Sequence, residues 1–366
     1  MRRASVGAVA SVLAMVIAGC GSLPQSHGSA DEGGSVPLAQ ASALADPKAY
    51  EGATHAALGD VAIDPIADSP TPDLPVTVTD AQGTKVTVTD DSRILALDIY
   101  GTLSQTVFDL GLGDNVVGRD LSTQFAEAAD LPLVTNESSH DLVAEKILAL
   151  NPTVIITDTS LGPWDVLLQM RDAGVPVVVV DSTRSIDNIT SLTIQVADAL
   201  GVHDLGVKLA ARTKSEVDAT TAEIAKVAPT TVQTKLRTVF LYVRGQAGVY
   251  YMFGEGSGAD SLIDALGAYD VSEEIDWSGM KPVTDEGIIA AQPELILMMT
   301  DGLASVGGVD GLLEKLPALA QTPAGQRRRI VDMSDSAILG FGPRTAEVLN
   351  ALAVAIYAPE SAKAAS

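Results

Sequence analysis

Glu145-Lys146-Ile147-Leu148-Ala149-Leu150-Asn151-Pro152-Thr153-Val154-Ile155-Ile156 returns 141 positions later as Glu286-Gly287-Ile288-Ile289-Ala290-Ala291-Gln292-Pro293-Glu294-Leu295-Ile296-Leu297. Glu, Ile, Ala, Pro and Ile are identical at equivalent places, and most other pairs are conservative. Each copy reads as a short helix stopped before a proline, then a buried strand, because the residue before proline is driven out of the helical region. A single helix-Pro-strand match can arise by chance in an α/β protein. The same local architecture around both copies favours two similar lobes.

Working outward, Val76-Thr77-Val78-Thr79 and Val86-Thr87-Val88 alternate with period two around Asp80-Ala81-Gln82-Gly83, which predicts a hairpin. Short apolar strands then alternate with helical stretches: Ile94 to Leu97, Val116-Val117, Val154 to Ile156 and Val177 to Val180. That alternation predicts an α/β lobe over 76–202 with a largely parallel sheet. A long helix is expected over His203 to Val227, with Leu205, Leu209, Val217, Ile224 and Val227 on one face. Arg212/Glu216 and Lys214/Asp218 form i,i+4 pairs on its exposed side. Alternation resumes over 228–366 with Val239 to Val243, Leu295 to Leu297 and Ile330-Val331. The fold class is therefore α/β: two Rossmann-like lobes joined by a single long helix. Such sheets bind ligands beyond the carboxyl ends of their strands, so facing lobes make a ligand cleft.

Composition narrows the function. The 366 residues carry 23 Lys+Arg against 47 Asp+Glu, a formal charge of −24, and Arg2 and Arg3 stand in a leader without acids. A surface that acidic repels phosphates, which argues against a nucleic-acid partner. The chain is 46% hydrophobic, enough for a packed core. Its single cysteine allows no intramolecular disulfide and no thiolate metal cluster.

That cysteine follows Met1-Arg2-Arg3, an apolar run from Val6 to Ile17, and Ala18-Gly19. Basic residues, a short apolar run and small residues make a secretory signal over 1–19, too short to span a bilayer permanently. Ile17-Ala18-Gly19-Cys20 resembles the lipobox of bacterial lipoproteins, in which the thiol is diacylated. Two acyl chains on Cys20 would anchor the protein stably at the extracytoplasmic face of the cell membrane. From Cys20 to Pro75 the sequence is rich in Ser, Gly, Ala, Pro and Asp and reads as a flexible, solvated tether. His27 and His55 sit in it without metal-binding context, and His203 at the start of the long helix reads as structural.

Two positions bear on the ligand. His140 lies in the loop leading into the first repeat helix, and Tyr242 and Arg244 end the strand Thr238-Val239-Phe240-Leu241-Tyr242-Val243-Arg244. Residues two apart share a strand face, so Tyr242 and Arg244 point the same way. A guanidinium beside a phenol favours the phenolate, an apt ligand for ferric iron, and tyrosine and histidine both serve as haem axial ligands. Taken singly, a loop histidine also reads as a capping residue, a strand tyrosine as core and Met298-Met299 as core filler. No His-Glu-x-x-His is present, and Gly254-Glu255-Gly256-Ser257-Gly258 fits neither a phosphate loop nor a nucleophile elbow. No catalytic residue is assigned.

Lipobox, tether, hairpin, two lobes and one connecting helix together resemble the metal-chelate class of substrate-binding proteins of ABC importers. The resemblance covers about Val76 to Ala358 and includes Gly342-Pro343-Arg344 and both Glu-x-Ile repeats. That class carries cobalamin, ferric siderophores, haem or bare metal ions. The one-His, one-Tyr-x-Arg pattern is similar to the haem-binding lipoproteins of actinobacterial haem-uptake ABC transporters, the HmuT type. The resemblance implies that His140 and Tyr242 grip ferric haem iron from opposite faces. It also implies that Arg244 hydrogen-bonds the tyrosine and that Met298 or Met299 packs on the porphyrin. It further implies that Glu145 and Glu286 meet an ABC permease dimer with its ATPase, and that the protein acts as a monomer rather than as an enzyme. A ferric-siderophore or cobalamin binder is the alternative within the class, and a chelatase-like enzyme the alternative outside it.

Overall fold

Two sheets grow from the two copies of the repeat. The computed structural model describes residues 35–59 and 61–365; the leader 1–19, Cys20 and His27 lie outside them. The chain's first strand, Thr54–Ala56 (β1), belongs to the sheet of the second lobe rather than to the first. The hairpin strands Val76–Thr79 (β2) and Lys85–Val88 (β3) pair antiparallel around a turn closed by the Asp80 carboxylate, which accepts from the Gln82 and Thr84 amides. Ile94–Leu97 (β4), Val154–Thr157 (β5) and Val177–Val179 (β6) form a parallel three-stranded sheet. Ile94, Ala96, Val154, Ile156 and Val178 bury on one face, and Leu95, Leu97, Ile155 and Val177 on the other. Both faces are apolar, as a helix-covered parallel sheet requires. Val116-Val117 makes a single bridge to Ile94 rather than a strand, since Gly118 packs straight against Leu150 and Leu95 and turns the chain away.

The second sheet contains Arg237–Arg244 (β7), Val249–Phe253 (β8), Tyr269–Asp270 (β9), Met280–Pro282 (β10), Leu295–Met299 (β11) and Ile330–Met333 (β12). Its order is β1-β12-β11-β7-β8-β10, with β9 beside β7. The four strands β1, β12, β11 and β7 are parallel; β8 and β10 add an antiparallel extension. The long helix runs His203–Val227 and packs between the helices Ile189–Ala199 and Thr345–Tyr357. Leu209, Val217 and Ile224 bury beneath it, while Lys214 and Asp218 pair at 2.7 Å on its outer side. His203 pairs with Asp198 at 2.6 Å at the helix start.

The repeat is structural in detail. The helices Ala144–Ala149 and Asp285–Ala291 each bury one isoleucine, Ile147 and Ile288. Each ends on a left-handed residue just before its proline, Asn151 at φ 45° and Gln292 at φ 40°. An arginine preceding or opening the neighbouring strand then caps the exposed carbonyls. Arg93 donates to the Leu150 and Asn151 oxygens, and Arg237 to those of Ala291 and Gln292. A cation there also meets the negative end of the helix dipole.

The tether reading fails over residues 35–59. This segment is a strap bound to the second lobe: β1 extends the sheet beside β12, Leu38 is buried, and the Leu38 amide and Val36 carbonyl both bond the Asn350 side chain. His55 pairs with Asp332 at 2.7 Å. The strap's anchor is Arg329, buried between it and the core. Its guanidinium donates to the Ile356 carbonyl at 2.5 Å and to Thr54 Oγ1 at 3.3 Å, and it lies 4.5 Å from the Tyr50 ring centroid.

The lobes meet along a seam at the carboxyl ends of β4, β5 and β6. Arg184, buried, donates to Asp98 at 3.2 Å and more closely to Asp158. Asp120 adds a third buried carboxylate, accepting from the Asp98, Ser122 and Thr123 amides. Across the seam, Thr102 donates to the Gly340 carbonyl at 2.5 Å, the Ile186 amide to Ser261 at 3.0 Å, and a Cβ on Gly258 would stand 2.4 Å from the Arg184 oxygen. One guanidinium faces three carboxylates away from water. Burial therefore pushes Asp98 up to about 6 and Asp120 up to about 7, the neighbouring acid adding to each rise.

Two measurements follow from this architecture. Arg329→Met keeps the volume but removes the hydrogen bonds, and should cost about 3 kcal/mol of unfolding free energy with faster proteolysis within 35–59; unchanged protection of the strap would show that Arg329 does not hold it. The raised carboxylates bind protons more tightly folded than unfolded. Stability from them is full below the ordinary aspartate value and is lost as pH rises through about 6 to 7. Thermal unfolding should shift downward between pH 5 and pH 7.5, and Asp120→Asn should flatten that slope; an equally steep slope in the variant would contradict it.

Candidate functional site

At the carboxyl end of β7, residues 240, 242 and 244 share one face. Phe240 stacks on Phe253 of β8 at 5.1 Å between centroids, and Tyr242 stacks on the same ring at 5.9 Å. The tyrosine is thus half-buried on an aromatic ladder, held in orientation by β8. Arg244 closes the ladder: its guanidinium lies 4.6 Å from the Tyr242 ring centroid, a cation–π placement. It also donates to Asp335 at 2.7 Å and to the Val243 carbonyl at 3.0 Å.

This geometry differs from the expected contact between Arg244 and the Tyr242 hydroxyl. The guanidinium takes the face of the ring because Asp335, which also accepts from the Asp301 amide at 2.9 Å, draws it there. Burial raises the Asp335 carboxyl, and Arg244 opposes that rise. Neither Phe253 nor Asp335 was singled out by the sequence. The continuous apolar and aromatic run Val249-Tyr250-Tyr251-Met252-Phe253 would have marked the strand, whereas Asp335 stands 91 positions from Arg244 in a loop with no pattern.

His140 belongs to a tight loop of the first lobe. Thr135 and Leu142 bridge antiparallel, the Val143 amide donates to the Val134 carbonyl, and the Asn136 amide donates to the Asp141 carbonyl. Lys146 fastens the loop from below through the Thr135 carbonyl at 2.8 Å. The ring is half-buried, and its Nδ1 is buried without a hydrogen-bond partner. Burial lowers the imidazole from its ordinary value, the Arg244 charge lowers it further, and Asp335 and Asp141 oppose them. Arg244 and Asp335 of the second lobe therefore act on His140 of the first. The neutral imidazole that results is the form that ligates metals.

The methionines divide. Met298 is 0% exposed in the core on the face of β11 away from the aromatic ladder, so it cannot pack on a ligand as expected of it. Met299, 7% exposed, shares the core cluster on which Tyr242 packs. Glu145 and Glu286 are both exposed, each in the first turn of its repeat helix. A separate groove of about 800 Å³ lies on the outside of the first lobe between the hairpin and β6, lined by Val76, Asp80, Val179 and His203, and contains none of these residues. Among the described residues no three His, Cys, Asp or Glu side chains converge to hold a bare metal ion, and no helix is long and apolar enough to cross a membrane.

The periplasmic binding protein family model matches residues 99–337. The chain is similar to the crystal structure of the haem-binding protein HmuT, with 39% identity and a TM-score of 0.79, over 85% of this chain and 99% of that one. HmuT has also been solved with alanine in place of an arginine, of a tyrosine two positions before it, and of a histidine. The haem-binding protein RhuT from Roseiflexus sp. RS-1, in its apo form, is 37% identical with a TM-score of 0.66, over 75% of this chain and all of that one. An uncharacterized ABC transporter substrate-binding lipoprotein of Bacillus subtilis, YvrC, is 24% identical over 285 residues, 77% of this chain and 86% of its own. The two lobes, the single long helix and the extent of these matches make this chain a member of the periplasmic binding protein family.

Proposed function

We propose that this protein is the extracytoplasmic haem carrier of an ABC importer, holding ferric haem between its lobes and delivering it to a two-subunit permease. The reading is supported by an imidazole with an unpartnered buried Nδ1 that feels the charge of Arg244, the same guanidinium that lies on the Tyr242 ring beside Phe253. His140 and Tyr242 supply two iron ligands of types that haem proteins use, one per lobe. The arginine and tyrosine replaced in HmuT have the same two-residue spacing as Tyr242 and Arg244, which supports carrying the haem reading to this chain.

Each side chain contributes a different part. The stacked Phe240 and Phe253 fix the tyrosine ring, so little rotamer freedom is lost when its oxygen engages iron. Arg244 covers the ring face of the phenol and leaves its oxygen free for iron, while Asp335 holds the guanidinium in place. His140 approaches from the other lobe as a neutral donor. A siderophore carrier is disfavoured, because an anionic chelate calls for several cleft cations and Arg244 is already paired with Asp335. Cys20 is the proposed lipid anchor, and the exposed Glu145 and Glu286 the proposed contacts to cations on the two permease subunits.

Haemin titration followed by absorption tests the reading. The lipid-free protein should develop a Soret band, and Tyr242→Phe should alter that spectrum most, since it removes the one anionic ligand and preserves shape. His140→Ala should leave a five-coordinate spectrum with weakened binding, by about tenfold or more. A protein that ignores haemin would refute the carrier reading, and an unaltered spectrum in Tyr242→Phe would refute the ligand assignment.

A further inference from the structure

Of the large apolar side chains exposed to solvent among the described residues, seven in number, two occupy equivalent positions of the internal repeat: Leu148, 44% exposed, and Ile289, 49% exposed. Singly exposed aliphatic residues are ordinary and need no explanation. Recurrence at matched positions in two lobes is different, because the helices around them are otherwise patterned for their own cores. In each helix the preceding isoleucine, Ile147 or Ile288, is buried and completes the inward face. The next residue is turned outward by the 3.6-residue period, and nothing in either lobe covers it.

Each exposed aliphatic lies three positions beyond an exposed glutamate, Glu145 before Leu148 and Glu286 before Ile289. Positions three apart neighbour one another on a helix surface, with Cβ atoms about 5–6 Å apart. Neither carboxylate has an ion-pair or hydrogen-bond partner among the described residues. Both helices are also held rigidly at their far ends by Arg93 and Arg237. Each lobe therefore presents the same two-part feature on a fixed element: an uncompensated negative charge beside an unburied aliphatic side chain.

We infer that Leu148 and Ile289 are apolar anchors that seat in matching sockets on the two permease subunits, each socket adjoining the cation that receives Glu145 or Glu286. The inference rests on the carrier reading and deepens it. Two identical subunits offer two identical sockets, and a partner of that symmetry can engage a single chain evenly only through features repeated in that chain. The carboxylates alone would give a contact that steers approach and weakens steeply with salt, as rim charges do. An aliphatic side chain buried beside each of them supplies holding strength that salt does not screen, and it excludes water from the ion pair.

The test compares the full-length lipoprotein with Leu148→Ser, Ile289→Ser, the double serine variant and Leu168→Ser, the last an exposed aliphatic outside the repeat helices. Affinity for the purified two-subunit permease in lipid nanodiscs is measured at low and high salt, beside haemin titration and thermal unfolding of each variant. Each single rim variant should bind the permease roughly tenfold more weakly, equivalent to about 1.4 kcal/mol. The double variant should lose the binding that persists at high salt, with haemin titration and unfolding unchanged and Leu168→Ser equal to wild type. Permease affinity of the double variant equal to wild type, while Glu145→Ala with Glu286→Ala weakens it, would overturn the anchor inference and leave the carrier reading standing. A wild-type protein that takes up no haemin, or does not engage the permease, would overturn the carrier reading, and the anchors with it.

Discussion

The guanidinium of Arg184 organises the first lobe where it meets the second. It comes from the loop after β6 and reaches Asp98 after β4 and Asp158 after β5, so one cation gathers the carboxyl ends of all three strands. A buried ion pair of this kind adds little net stability, since desolvation offsets the Coulombic gain. Its value is positional. The Arg184 carbonyl packs directly against Gly258 at the start of a second-lobe helix, where no larger residue fits, and Tyr100, stacked under the same guanidinium, joins the second lobe's core. The loops of one lobe and the register between lobes are thus fixed together.

The surplus of carboxylates at this seam gives the arrangement a chemical condition. With Asp120 included, three carboxylates meet one guanidinium, so the site is neutral only when two acids retain protons; burial pushes Asp98 and Asp120 upward in that direction. The Asp335–Arg244 pair on the opposite side of the cleft is arranged differently, half-buried and one-to-one. The one-to-one pairing there keeps the guanidinium on the tyrosine ring, and Arg244 opposes the rise that burial gives the Asp335 carboxyl. The two lobes therefore hold buried charge in different ratios, three acids to one cation at the seam and one to one beside the tyrosine.

Most of the architecture was legible in the sequence because it depends on local signals. Helix-Pro-strand junctions, apolar strand runs and the helical period of the 25-residue stretch His203–Val227 report directly on backbone geometry. The Tyr-x-Arg spacing was legible for the same reason, since two strand residues on one face need no knowledge of the rest of the chain. What escaped was set by distant contacts. The strap over residues 35–59 is alanine-rich and without a sustained apolar period, and its order depends on Arg329 and β12 some 275 residues later. Asp335 decides which part of Tyr242 the arginine touches, yet nothing in its own surroundings marks it. Met298 and Met299 illustrate the same limit at one residue's separation: alternate faces of β11 send one into the core and the other toward the ladder's cluster.

The two lobes agree on their rims and disagree at their centres, and the division follows from what each surface must meet. Arg93 and Arg237, Asn151 and Gln292, Ile147 and Ile288, Leu148 and Ile289, and Glu145 and Glu286 repeat in kind and in place. At the carboxyl ends the correspondence stops. The first lobe offers a loop imidazole above a sealed acidic seam, and the second a strand tyrosine on an aromatic ladder under a paired arginine. In the proposed carrier the two centres would supply two unlike donors to one iron, whereas the two like rims would meet two like permease subunits. One duplicated scaffold can satisfy both demands because the rim is carried by the helix before the strand and the centre by what surrounds the strand's end. In both copies the helix ends at a left-handed residue just before the proline, so the rim and the strand's end lie on separate elements.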